Sequence, residues 1–117
     1  GVMAYKLGDQ VSFTAHFATA AGTDTDPTTV KFFLREELDQ TELEWTYNAT
    51  PTEGTHYPVG QNAVVKDSTG DYSVLYVARK AERLTAYWKQ TNATLLVVTQ
   101  NLSTVFVRHA GIALVEP

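Results

Sequence analysis

The 117-residue chain contains no cysteine. That absence excludes disulfides, thiolate metal sites and cysteine nucleophiles together. It leaves the redox compartment open, because a cysteine-free chain suits either. Cations are scarce as well: 9 Lys and Arg stand against 13 Asp and Glu, a formal net charge of −4. A protein that holds nucleic acid or an anionic membrane needs clustered Lys and Arg to displace counterions, so neither partner is expected. No apolar run approaches the ~18 residues of a membrane-spanning helix. The start lacks the basic-then-apolar pattern of a signal peptide. Helical periodicity is missing from every window of ten residues or more. A chain of this length buries about two thirds of its extended surface, enough for one core without staples. One domain over residues 1–117 is expected, with its core in 5–108 and a tail at 109–117.

What the chain does have is a two-residue period. Val11, Phe13, Ala15 and Phe17 alternate with Ser12, Thr14, His16 and Ala18, the pattern of a half-buried strand. Val30, Phe32 and Leu34 repeat it, then Leu43, Trp45 and Tyr47. Residues 20–29 and 48–62 carry the Gly, Pro, Asp and Asn of loops, and the second is the longest. Residues 63–66 read as a short strand, and Asp67-Ser68-Thr69-Gly70 as the turn into a strand over 72–78. Residues 79–83 suit one helical turn at a crossover. Leu84, Ala86 and Trp88 mark the next strand, and Trp88 is expected to be buried. Residues 94–99 and 103–108 are either two short strands or one long strand with a bulge. Seventeen threonines favour pleated, half-exposed surface. About eight short strands at regular spacing predict an antiparallel two-sheet sandwich, with a small barrel as the alternative.

Chemistry is sparse. His16, His56 and His109 lie far apart, and none has a second His or a carboxylate at ligand spacing. They read as surface histidines, and no metal or cofactor is expected. No serine sits in a Gly-flanked strand-to-helix elbow, and the glycines make no phosphate cradle. Glu42 and Glu44 share one strand face, which reads as a solvated face because a catalytic pair also needs a cleft. Asp24 and Asp26 offer calcium too few oxygens, and their loop reads as an Asx-rich turn closed by Pro27. Asn48, Asn92 and Asn101 begin glycosylation triplets that a Thr-rich chain produces by chance. Arg79, Lys80 and Arg83 form the one basic cluster. It reads as a polar crossover loop, or as a salt-bridge patch for an acidic neighbour. In the 67–72 turn, Gly70 is expected in a left-handed conformation, with Asp67 accepting from the turn's amides. Tyr72 and Trp88 supply apolar area.

The last third is too apolar for a two-faced strand. Leu95 to Val98, Val105 to Val107, and Ile112 to Val115 are consecutive apolar runs, so one sandwich cannot direct all of them inward. Either residues 48–62 or the tail cover the outer side, or Leu96, Val98, Phe106, Ile112 and Leu114 form an interface.

Tyr5 to Ala15 with its Gly8-Asp9, followed by Asp26-Pro27-Thr28-Thr29-Val30, resembles the opening of small immunoglobulin-like proteins of tailed bacteriophages. Lys66 to Tyr72 is similar to that family's Asp-x-x-Gly-x-Tyr turn, and Leu84 to Trp88 to its aromatic strand. The loop at 48–62 and the region 93–108 are longer than the family's pattern. The resemblance implies an immunoglobulin-like sandwich of seven to nine strands and a non-enzymatic virion protein of head, neck or tail. Such a protein would be assembled in the bacterial cytoplasm, and its partners would be other virion proteins and a second copy of itself. The alternative is a bacterial surface or adhesin-type module that binds glycan or protein. An enzyme with a site assembled from distant residues is the least supported reading.

Overall fold

A computed structural model describes residues 4–94, 96–99 and 102–109. The described residues form nine strands and no helix. They are β1 (Ala4–Lys6), β2 (Gln10–Ala18), β3 (Thr29–Glu36), β4 (Thr41–Thr46), β5 (Val65–Ser68), β6 (Asp71–Val77), β7 (Arg83–Thr91), β8 (Val97–Thr99) and β9 (Leu102–Arg108). One sheet has the order β1-β9-β7-β3-β4 and the other β5-β6-β2-β8. All pairings are antiparallel except β1 with β9. The chain is an all-β sandwich, and its Greek-key order is compatible with an immunoglobulin-like fold.

Alternation sorts the side chains. Val11, Phe13, Ala15 and Phe17 face the core from β2, and Val30, Phe32 and Leu34 face it from β3. Tyr72, Val74 and Tyr76 of β6 and Leu84, Ala86 and Trp88 of β7 complete it, with Trp45 fully enclosed. Aromatic rings form a continuous cluster in the core, in which Phe13–Phe32 and Trp45–Tyr76 cross between the sheets. Phe13 lies 5.3 Å from Phe32, Phe32 lies 4.7 Å from Trp88 and 5.2 Å from Trp45, and Trp45 lies 6.4 Å from Tyr76. Antibody domains tie the corresponding layers with a disulfide. Here tilted and edge-to-face rings do it, each pair adding about 0.5–1.5 kcal/mol beyond its buried area.

Several connections differ from the sequence reading. Residues 79–82 form no helical turn; Arg79 extends to Glu36 at the end of β3 and Lys80 to Asp39 on the β3–β4 connection. The strand expected at 63–66 is β5, 65–68, so Asp67 and Ser68 are strand residues, with a register shift between Lys66 and Ser68. The apolar stretch 94–108 is two strands in different sheets, β8 beside β2 and β9 beside β7. The long loop does not cover the last strands. It lies on the opposite side, where Asn62 Nδ2 donates to the Leu75 carbonyl at 2.8 Å. The Gln61 amide accepts from the Val77 amide at 2.8 Å and donates to the Val77 carbonyl at 3.1 Å. These two side chains serve β6 where β5 has ended.

The Gly8-Asp9 step moves the chain from one sheet to the other. Asp9 Oδ2 accepts from the Lys6 amide at 2.8 Å, the Gly8 amide donates to Ala78 O at 2.8 Å, and the Ala78 amide returns to Asp9 O at 2.9 Å. Among the described residues, no helix is long and apolar enough to cross a membrane.

Candidate functional site

One candidate contact surface is the outer face of the five-stranded sheet. Residues on β3 and β7 that point away from the core should be polar, yet Phe33 and Tyr87 stand directly opposite each other. Their rings stack at 5.0 Å and 11°. Lys89 Nζ lies 5.3 Å from the Phe33 centroid and 5.8 Å from that of Tyr87. Burial pushes the Tyr87 hydroxyl up, and Glu42 beside it pushes the same way. Lys31 pairs with Glu44 at 3.1 Å. Two rows along the same face, Phe106 of β9 stands opposite Arg83 and is 39% exposed. The cue to this face was in the sequence: Phe33 and Tyr87 interrupt otherwise polar alternating positions.

The interface expected at the end of the chain divides. Phe106 is exposed, as is Val97. Leu96 is buried at 5% exposure and is core rather than interface, because β8 crosses to the second sheet and turns it inward. Val98 is half-buried and packs against the core. Leu95, Ile112 and Leu114 lie outside the described residues.

The basic cluster is occupied within the chain. Glu36 is fully buried. Its carboxylate accepts two Arg79 hydrogen bonds of 2.7 Å each and one from the Tyr76 hydroxyl at 2.6 Å. Burial alone would raise the Glu36 carboxyl; the Arg79 and Tyr76 bonds outweigh it and hold it below the usual range. Lys80 binds Asp39 at 2.6 Å and holds that carboxyl down to about 2. Arg83 pairs with Glu37 at 3.1 Å. These three cations clasp the end of β3 and the β3–β4 connection, so each already has a carboxylate partner within the chain. Glu82 is buried beside them, its Oε1 accepting from the Leu38 amide at 3.0 Å. Burial pushes this carboxyl up.

Two corners of the second sheet hold the remaining polar residues. His16 faces outward as expected, but it is not isolated. Its Nδ1 lies 2.5 Å from Asp71 and its Nε2 2.9 Å from Asp24. The hydrogen bond to Asp71 raises the His16 pKa, with Asp24 acting in the same direction. Asp71 also accepts from Ser68 at 2.5 Å. The order is serine to aspartate to histidine to aspartate, which places the carboxylate between hydroxyl and imidazole, so His16 cannot take the serine proton as a base. Gly70 is left-handed, with φ +80°. A Cβ there would stand 2.4 Å from the Phe17 carbonyl oxygen. The role expected of Asp67 belongs to Asp26, which accepts from the Gly70 amide at 2.8 Å and the Tyr72 hydroxyl at 3.2 Å and pairs with Lys66 at 2.5 Å. The Asp24–Asp26 loop therefore spends its carboxylates on the fold. Among the described residues no group of three His, Asp or Glu is placed to hold a metal ion.

Compared with protein-family models, curated proteins and solved structures, the chain has no match.

Proposed function

We propose that the chain is a non-enzymatic, virion-associated protein of a tailed bacteriophage or prophage that works by protein–protein contact through the outer face of its five-stranded sheet. The observation that carries the contact reading is Phe106. It is a large ring, 39% exposed, on the same face as the Phe33–Tyr87 stack. Exposed aromatics on a charged face are the usual anchors of a partner surface. The virion assignment is supported by the resemblance of residues 5–15, 26–30, 66–72 and 84–88. Gly8-Asp9, Asp26, Gly70 and Trp88 all sit where connections or core fix the sandwich.

The test uses particles. A lysogen encoding the chain is induced, and purified particles are analysed by mass spectrometry. The chain is expected in fixed stoichiometry, and Phe106→Glu is expected to lower its incorporation at least tenfold with an unchanged melting curve. A chain found only in the unassembled fraction overturns the virion reading.

A further inference from the structure

The sheet edges differ in how they are defended. β4 carries Glu42 and Glu44, and β5 carries Lys66 and Asp67 with a register shift. β1 and β8 are three residues long. Charge, irregularity and shortness are the devices that stop edges from pairing with other chains. β2 has none of them along most of its length. β8 covers only His16, Phe17 and Ala18. Among the described residues nothing pairs with that side of Gln10 to Ala15, a run with no charge, proline or glycine.

The direction of the free backbone groups follows from register. The Phe17 amide donates to the Gly70 carbonyl at 2.8 Å, continuing the β2–β6 ladder. In an antiparallel ladder the bonded residues alternate, so odd-numbered residues of β2 serve β6 and even-numbered ones turn the other way. His16 and Ala18 meet β8 there. Ser12 and Thr14 direct their N–H and C=O groups out of the sheet, and both side chains are exposed.

We propose that this open side of β2 joins two copies of the chain, edge to edge and antiparallel about a two-fold axis. The segment is self-complementary about Phe13. Centring the register there sets Ser12 of one copy against Thr14 of the other, twice, as hydrogen-bonded pairs whose hydroxyls meet on the outer face. Val11, Phe13 and Ala15 point into the core and are at most 4% exposed, so the seam is carried by the backbone groups and hydroxyls of Ser12 and Thr14. That register ends at Ala15, one residue before His16, which β8 pairs through Thr99. An isologous pairing needs such a palindrome, and a seam without charge lets two chains of net charge −4 approach. A five-residue seam is shorter than the 20–30 residues a side, roughly, of a stable interface, so a concentration-dependent dimer is expected rather than a permanent one. The inference goes beyond the virion reading and does not depend on it.

Light scattering and sedimentation across a rising concentration series test it on the full chain. The wild-type mass is expected to climb from one chain to two and stop. Ser12→Lys with Thr14→Lys places Lys opposite Lys in this register, and the paired Glu substitutions place Glu opposite Glu. Each double variant alone is expected to stay at one chain, and their equal mixture to return to two. Phe106→Glu is expected to dimerise as the wild type does, which separates this outcome from the particle test. A wild type that stays at one chain throughout overturns the proposal, whether the edge is vacant, covered by the chain's own tail or reserved for a different strand. So does dimerisation of the Lys variant at wild-type strength, or a mixture that does not recover.

Discussion

The aromatic seam and the charged clasp hold the same two layers by opposite means. At the seam, Phe13, Phe32, Trp45, Trp88 and Tyr76 join the sheets through rings that want only to leave water. At the clasp, Arg79, Lys80 and Tyr76 surround one fully buried carboxylate, Glu36. The seam tolerates approximate geometry, because burial energy is non-directional. The clasp does not, because a buried carboxylate is stable only while its donors remain in place. Tyr76 belongs to both, its ring in the seam and its hydroxyl in the clasp.

The largest effect should come from breaking the seam. Trp88→Ala and Trp45→Ala are each expected to lower stability by about 3–5 kcal/mol, read as a shifted urea midpoint. An unchanged midpoint for either would show that the rings do not hold the layers. The clasp comes next, and two arginines sharpen it. Arg79→Ala leaves Glu36 buried with Lys80 and Tyr76 alone and should cost about 3 kcal/mol. Arg83→Ala, which removes an exposed cation from the half-buried Glu37, should cost less than about 1 kcal/mol. Equal losses would mean that the burial of Glu36 does not matter.

Gly70→Ala tests a corner that depends on neither region. The left-handed backbone costs an alanine about 1–2 kcal/mol, and the close Phe17 carbonyl adds to that, so a loss of at least about 2 kcal/mol is expected. A neutral substitution would place the corner elsewhere. The smallest effect concerns the exposed imidazole. His16 should titrate above 6.5 by nuclear magnetic resonance, and Asp71→Asn should lower its pKa more than Asp24→Asn does. The folded pKa is raised, so the His16 contribution is complete below the unfolded pKa and fades as pH rises through the folded one. Asp71 is held low by Ser68 first and by His16, so its own contribution is lost as pH falls through its lowered pKa. A His16 pKa at or below 6.5 would dissolve the pairing.

Much of the sandwich was legible residue by residue. Phe13, Phe32, Leu84 and Trp88 lie in the core because every second residue of a strand shares a face. Gly70 was legible because few residues but glycine follow a strand into a left-handed turn. Asp26 was not legible as the partner of the Gly70 amide, since 44 residues separate them. Nor was the His16 contact with Asp71, which spans 55. The outer-face site was half legible. Phe33 and Tyr87 each break a polar pattern, but only the β3–β7 register stacks them.

The sequence by itself determined most of the strands, the inward faces of β2, β3, β6 and β7, and the sparseness of recognisable catalytic motifs. These follow from a local period and from composition, which need no knowledge of distant residues. Tertiary structure alone decided that Leu96 is core while Phe106 is surface, that the basic cluster pairs with Glu36, Glu37 and Asp39, and that among the described residues nothing pairs with the β8 side of Gln10 to Ala15. Each of these depends on which strands become neighbours. That choice is made by packing two sheets against each other, and a two-residue period carries no record of it.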